Sequence, residues 1–133
     1  MNDTLSKTGV IAIVDDDEPL REALASVLKA AGFRTTTYAS AEEFFSAPSR
    51  NNTACLVLDV RLPGMSGIEL QKRLYEGGSR VPIIFVTAHG DAALSELVMK
   101  AGAAGFLNKP VRSDALLKAI YAALQKAEAD RQS

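Results

Sequence analysis

The sequence predicts an α/β protein built on a doubly wound parallel sheet of five strands, with five helices. Short apolar runs rich in β-branched residues recur at Val10–Val14, Cys55–Leu58 and Ile83–Val86. Uninterrupted runs of this kind are typical of strands that are buried on both faces of a parallel sheet. Segments with the apolar spacing of helices lie between the runs. Because strand and helix alternate, we expect right-handed strand–helix–strand units.

Two weaker strands and two helical faces complete the series. Phe33–Tyr38, which is rich in threonine and aromatic residues, is predicted to be the second strand, and Ala104–Leu107 the fifth. The apolar faces of the first and last helices are predicted from residues at helical spacing, namely Leu20, Leu24, Val27, Leu28 and Ala31, then Leu116, Leu117, Ile120, Tyr121 and Leu124.

Residues at the predicted helix ends agree with this division. Ser40–Glu43 and Ser66–Glu69 have the pattern of a capping box, in which a serine and a glutamate satisfy amides at the start of a helix. Asp91 and Ser113 are expected to cap the last two helices. The glycines that follow helix ends supply a left-handed residue there, and they are Gly32, Gly77, Gly78 and Gly102.

The composition is that of one globular domain. The 133 residues are 47% hydrophobic and 23% charged, with a formal net charge of -1, which argues against disorder and against a positive field that attracts nucleic acid. The single cysteine, Cys55, excludes an internal disulfide or a thiolate zinc cluster and is expected to be a small buried hydrophobe. The chain shows neither a signal-peptide pattern nor a membrane-spanning run. We therefore expect a cytoplasmic protein without a membrane partner.

Polar residues follow the buried strands at the point where each strand ends. In an open α/β sheet, ligands bind at the carboxyl ends of the strands. Any one of these residues alone also has the ordinary explanation of a solvated loop residue. Four strands that end in this way indicate a site, formed by Asp15, Asp16 and Asp17 after the first strand, Asp59 after the third, Thr87 after the fourth, and Asn108 and Lys109 after the fifth.

The acidic residues of this set point to a cation. Carboxylates that lie within a few ångström of one another repel and have raised pKa values unless a positive charge stands between them. Oxygen-only ligands favour Mg²⁺, which keeps several waters in its coordination shell. Asp15 or Asp16, together with Asp59, is therefore expected to bind Mg²⁺ and leave positions open for phosphate oxygens.

Four motifs in order resemble those of response-regulator receiver domains of two-component signalling. They are Ile13–Asp17, Leu58–Gly67, Val86–Gly90 and Phe106–Pro110, and the likeness extends from about residue 8 to residue 126. The resemblance implies a flavodoxin-like sheet with strand order 2-1-3-4-5. It also implies a receiver domain over residues 8–126, with flexible ends at 1–7 and 127–133.

The resemblance assigns a role to each residue of the predicted site. Asp59 is expected to be the phosphoacceptor, which takes a phosphoryl group from a phosphohistidine of a sensor histidine kinase. Asp16 is implied to be a direct Mg²⁺ ligand, Asp15 to reach the ion through water, and the backbone carbonyl of Arg61 to be a further ligand. Lys109 is implied to pair with Asp59 before phosphorylation and to hold a phosphoryl oxygen afterwards.

Further roles concern switching and access to the acceptor. Thr87 is expected to move towards the phosphoryl group and Phe106 to rotate into the space this opens. The small side chain of Ala88 is expected to admit the phosphodonor. Arg61 and His89 are expected to tune the access of water, and the Lys109–Pro110 bond is expected to be cis.

The output is expected to be transcriptional. The segments 87–91 and 98–103 most resemble receivers of LuxR-type regulators, so we expect a truncated regulator whose DNA contact comes only from an output domain absent from this chain. A phosphorylation-dependent homodimer is expected through helix four, strand five and helix five, near Leu94, Leu97, Val98 and Phe106. Beyond self-phosphotransfer and autodephosphorylation, no enzyme activity is expected.

Other classes of protein fit the sequence less well. A phosphatase of the haloacid-dehalogenase type needs a second acid two residues after its nucleophile, where Arg61 stands. A P-loop or dinucleotide-binding protein needs a glycine-rich turn after the first strand, where three aspartates stand. The remaining alternatives are a stand-alone receiver without a DNA-binding output and a degenerate receiver that binds proteins independently of phosphate.

Overall fold

A computed structural model of the chain describes residues 9–88 and 92–132. Within these ranges it contains the five predicted strands and five α-helices, together with a 3₁₀ helix that the sequence did not predict. The elements are β1 (Val10–Val14), α1 (Glu18–Ala30), β2 (Arg34–Tyr38), α2 (Ala41–Ser46), the 3₁₀ helix (Pro48–Asn52), β3 (Thr53–Asp59), α3 (Gly67–Glu76), β4 (Ile83–Thr87), α4 (Ala92–Lys100), β5 (Gly105–Asn108) and α5 (Ser113–Gln132).

The strands form one parallel sheet in the order β2-β1-β3-β4-β5, which confirms the expected flavodoxin-like topology. The order reverses between β1 and β3, which are neighbours in the sheet although β2 separates them in the chain. At such a switch point the loops that follow the two strands diverge to opposite faces and leave a crevice at the carboxyl edge. The fold therefore provides a crevice where the sequence predicts the site.

Two apolar layers cover the sheet, one on each face. Successive residues of a strand point to opposite faces, so Ile11 and Ile13 of β1 pack with α1 and α5, whereas Ala12 and Val14 pack with α2, α3 and α4. All four of these side chains are fully buried. Burial on both faces explains why β1, β3 and β4 have continuous apolar sequences. Cys55 lies in the α1–α5 layer, and its burial raises the pKa of the thiol to about 12.

The two predicted capping serines accept hydrogen bonds from amides in the first turn of their helices, as expected. The Ser40 hydroxyl accepts from Glu43 N at 3.1 Å, and the Ser66 hydroxyl accepts from Glu69 N at 3.1 Å. The reciprocal bonds of the capping boxes differ from the expected pattern. Glu43 Oε1 accepts from Ala39 N instead of the capping residue, and Glu69 pairs with Arg73 one turn further along α3.

The other predictions about residues at helix ends are partly confirmed. Gly32, Gly78 and Gly102 have φ values of 96°, 90° and 109° and end their helices as expected, whereas Gly77 has a φ of -84° and is not left-handed. Ser113 is not a cap, because α5 begins at Ser113 itself and its first bond runs from Leu116 N to the Arg112 carbonyl, which leaves Arg112 in the cap position.

The expected domain limits only partly coincide with the elements. The last helix continues to Gln132, beyond the expected limit at 126. Residues 1–7 and the expected cap Asp91 lie outside the described residues. Among the helices of the described ranges, none combines the length and the apolar character that crossing a bilayer requires.

Candidate functional site

The carboxyl edge of the sheet carries most of the residues that the sequence singled out, but the Asp17 side chain caps α1, where its Oδ1 accepts from Leu20 N at 3.2 Å. Asp15 directly follows β1, Asp59 and Thr87 are the last residues of β3 and β4, and Lys109 directly follows β5. Asp15, Asp59 and Thr87 are only 2%, 6% and 2% exposed, respectively. The site is therefore a cluster of buried polar groups at the ends of otherwise apolar strands.

Lys109 connects the two buried carboxylates. Its Nζ atom lies 3.1 Å from Asp59 Oδ2 and 3.2 Å from Asp15 Oδ2. The Lys109–Pro110 peptide bond is cis, as the resemblance implied. The Lys109 amide donates to the Thr87 carbonyl at 2.7 Å, which fixes the start of the loop after β5 against the end of β4. One ammonium thus serves two carboxylates from different strands.

Backbone amides hold the other oxygens of the same two carboxylates. Arg61 N donates to Asp59 Oδ1 at 3.1 Å, and Asp17 N donates to Asp15 Oδ1 at 2.9 Å. The Arg21 guanidinium donates to the Asp15 carbonyl at 2.7 Å. Arg21 was not predicted as a site residue, since a single arginine in the first turns of an amphipathic helix carries no signal of a role. These bonds fix the orientation of both carboxylates.

The donor atoms suit a divalent cation. Carboxylate oxygens of Asp15, Asp16 and Asp59 all lie within 4.8 Å of one another, in a cluster open to solvent through the exposed Asp16. An all-oxygen set of this kind is what Mg²⁺ prefers. The residues present therefore fit the predicted ion.

The buried environment of the site shifts the pKa values of Asp59 and Lys109. Burial, followed by the charge of Asp15, raises the pKa of Asp59, and these effects outweigh the bonds from Arg61 N and Lys109 that lower it. Burial works against the charge of Lys109, but Asp15 and Asp59 together raise the pKa of its ammonium. Burial is thus the main cause of the raised pKa of Asp59, whereas the two nearby carboxylates cause the raised pKa of Lys109.

Thr87 and Phe106, the predicted switch residues, lie on the same face of the sheet. Phe106 pairs in register with Phe85, which is two residues before Thr87 on β4. Phe85 belongs to the layer formed with α2, α3 and α4, and the half-buried Phe106 packs against that layer. Ala88 is exposed, as is Arg61. His89 lies outside the described residues.

The face expected to form a dimer needs one correction. Val98 is completely buried in the layer beneath α4 and is not available to a partner. Val98 stands one helical turn after Leu94, which packs against the same layer, so both residues lie on the inner side of α4. The large exposed apolar residues of α4 are Leu97, at 54%, and Met99, at 44%.

A second missed residue, Glu42, lies beside the loop that follows Asp59. Its Oε2 atom accepts from Met65 N at 2.8 Å. Glu42 was predicted only as part of a helix start, because a contact across 23 positions leaves no local pattern in the sequence.

Comparison with known proteins shows the family. Residues 11–121 match the model of the response regulator receiver domain, and the chain belongs to this family. It is 42% identical over 125 residues to the response regulator protein TodT of Pseudomonas putida, an alignment that covers 94% of this chain and 55% of TodT. It is also 42% identical over 123 residues to the transcriptional regulatory protein FixJ of Azorhizobium caulinodans, covering 92% of this chain and 58% of FixJ. The chain thus spans a little over half the length of these relatives.

Solved structures agree on the fold and the family. The response regulator StyR superposes with a TM-score of 0.84 at 46% identity, over 92% of this chain and 62% of that chain. The structure named FixJ-N superposes with a TM-score of 0.80 at 38% identity, over 90% of this chain and 95% of that chain. The relatives named as transcriptional regulators are consistent with the expected likeness to receivers of LuxR-type regulators.

Proposed function

We propose that the chain is the phosphoacceptor receiver of a two-component system, which takes a phosphoryl group from a sensor histidine kinase onto Asp59 in a Mg²⁺-dependent reaction. The observation that carries the proposal is the position of Lys109 Nζ, which contacts Asp59 and Asp15 at the switch point of the sheet. An acceptor carboxylate, two further carboxylates and one ammonium are the groups that phosphoryl transfer needs for positioning and charge neutralisation.

The proposed metal site consists of the carboxylates of Asp15, Asp16 and Asp59 with the backbone carbonyl of Arg61. Bound Mg²⁺ would neutralise part of the negative charge on the transferring group. The carboxylate cluster supports this assignment, since its oxygens lie within 4.8 Å of one another and Lys109 alone does not balance its charge.

In the transfer step, a carboxylate oxygen of Asp59 forms a bond to phosphorus while the bond from phosphorus to the histidine nitrogen of the kinase breaks. The electron pair of the broken bond stays with the imidazole. Lys109 holds a phosphoryl oxygen as a charge-assisted partner, and Thr87 supplies a hydroxyl donor. The product is an aspartyl phosphate with added negative charge and new acceptor oxygens.

The new acceptors are the proposed trigger of the switch. Thr87 moves towards the phosphoryl group, and Phe106, diagonal to it on the same face, rotates into the space that opens. Ala88, Arg61 and His89 tune the access of donor and water. The chain performs only its own phosphorylation and dephosphorylation and is not an enzyme towards other substrates.

The proposed output of this cytoplasmic protein is the control of transcription, and a separate output domain makes the contact with DNA. The phosphorylated receiver dimerises through α4, β5 and α5, where Leu97 and Met99 supply exposed apolar surface. The names of relatives such as FixJ support this output. Beryllofluoride with Mg²⁺ should raise the mass in solution to that of a dimer, and a monomer at every concentration would contradict dimerisation by the isolated chain.

Incubation with acetyl phosphate and Mg²⁺, followed by intact-mass measurement, tests the acceptor. The native chain and an Asp114→Asn control, altered at an exposed acid on α5, should each gain one phosphoryl group. Asp59→Asn should gain none. A folded native chain that gains none would instead be a phosphate-independent binding module, and sustained turnover of a phosphate ester would indicate a phosphatase.

A further inference from the structure

The loop between β3 and α3, residues 60–66, is fixed at both of its ends by backbone hydrogen bonds. Val60 N donates to the Val86 carbonyl at 3.0 Å, and Gly67 N donates to the Val60 carbonyl at 3.0 Å. Between these points, Arg61 N donates to Asp59 and Met65 N donates to Glu42. Thus one carboxylate that holds the loop belongs to the proposed site, and the other comes from α2.

The Glu42 carboxylate fits closely against the turn. Gly64 has a φ of 74°, and a Cβ atom built on it would lie 2.3 Å from Glu42 Oε2. The carboxylate therefore fills the space that a side chain at position 64 would need. The bond from Met65 N lowers the pKa of Glu42, and the charge of Arg73 lowers it further, so this bond is charge-assisted at neutral pH.

We propose that Glu42 is a positioning residue for the magnesium site, which holds the 60–66 loop where Arg61 presents its backbone carbonyl to the ion. Arg61 and Met65 are four residues apart, with Pro63 between them limiting the backbone. Freeing Met65 releases the part of the loop that begins at the Arg61 carbonyl, while the bonds made by the amides of Val60, Arg61 and Gly67 stay in place. The inference rests on the proposed function, because it assumes that Arg61 is a ligand.

Glu43 is the matched control that distinguishes the proposed role of Glu42 from the ordinary role of an acid at the start of a helix. Both glutamates lie in the first turn of α2, where a negative charge interacts favourably with the helix dipole. Both carboxylates also accept a backbone amide, but Glu43 accepts from Ala39, immediately before the helix. Removing either carboxylate has the same consequence for the dipole, whereas only the loss of Glu42 frees the loop.

The test is a titration of the full chain with MgCl₂, followed by amide chemical shifts, for the native chain, Glu42→Ala, Glu42→Gln and Glu43→Ala. We expect Glu42→Ala to weaken Mg²⁺ binding ~10-fold, at the lower end for residues that orient a ligand, because the bond is exposed and Arg61 is one ligand among several. Glu42→Gln keeps an acceptor oxygen and should fall between Glu42→Ala and the native chain. Glu43→Ala should bind as the native chain does.

Urea unfolding without Mg²⁺ checks that the Glu42→Ala and Glu43→Ala variants are equally stable. Equal affinities in Glu42→Ala and the native chain would overturn the inference, as would equal weakening in the two alanine variants. If Asp59 is phosphorylated but Glu42→Ala binds Mg²⁺ as tightly as the native chain, only the positioning role of Glu42 is excluded. If Glu42→Ala binds Mg²⁺ more weakly but acetyl phosphate does not phosphorylate the native chain, only the phosphoacceptor function is excluded. If the native chain binds no Mg²⁺, the positioning role and the phosphoacceptor function are both excluded.

Discussion

The interior of the sheet and its carboxyl edge bury side chains of opposite character. In the interior, Val57 and Phe85 are at most 1% exposed and lie among apolar side chains. At the edge, Asp15 and Asp59 are almost equally buried but are polar and share one ammonium. Burial of apolar surface stabilises the fold, whereas burial of unbalanced charge costs stability. The interior therefore supplies the stability that lets the edge hold reactive groups.

The largest effect on stability is expected in the interior. Phe85→Ala removes a fully buried ring and should lower the free energy of unfolding by about 3–5 kcal/mol, measured by urea unfolding. Phe45→Ala is the matched control, because Phe45 is only half-buried and should cost clearly less. A loss for Phe85→Ala no greater than for Phe45→Ala would break the distinction between the interior and the rest of the molecule.

At the edge, removal of the cation should have an intermediate effect. Lys109→Met leaves Asp15 and Asp59 without their shared partner and should cost about 2 kcal/mol, less than the ~3–5 kcal/mol of fully buried pairs. The lower value follows from the 22% exposure of the Lys109 side chain. Mg²⁺ should restore more stability to this variant than to the native chain, because the variant site is more negative. Lys72→Met, on the exposed side of α3, is the control, and equal losses in the two variants would argue against a structural role for Lys109.

Removal of an anion at the same edge should stabilise the chain. Asp59→Asn should raise the free energy of unfolding at pH 7 without Mg²⁺ by about 1 kcal/mol, as expected where a functional group is held at a cost to stability. Because the pKa of Asp59 is raised by burial and by Asp15, the native state binds more protons than the unfolded state between the ordinary and the raised pKa. Native stability should therefore fall as pH rises through that interval, and the variant should lack this fall. Urea unfolding as a function of pH measures both effects; a less stable variant at pH 7 would mean that the carboxylate is adequately compensated.

The elements with strong local patterns were predicted well. The Val10–Val14 strand matched its predicted range residue for residue, because an apolar run bounded by polar residues depends on its own sequence. Ser40 and Ser66 were identified as caps because a capping serine is recognised from the residues beside it in the sequence. Ser113 was assigned wrongly because Arg112 and Ser113 are adjacent in a polar segment, and the choice between them depends on where α5 docks.

Predictions about surfaces were less successful. Val98 was expected near an interface, although α4 directs it into the core together with Leu94. Consecutive residues of a helix lie about 100° apart around its axis, so the way α4 packs on the sheet decides which of Leu97 and Val98 is exposed.

The sequence by itself determined the alternation of strands and helices and the polar residues at each strand end, because periodicity, caps and turns are properties of neighbouring residues. Only the tertiary structure decided that Lys109 contacts Asp15 as well as Asp59, that the Arg21 guanidinium donates to the Asp15 carbonyl, and that the Glu42 carboxylate accepts from Met65 N. These contacts join residues that are distant in the chain or on different elements. Their geometry depends on strand order, register and helix docking, which are set by the packing of the whole domain.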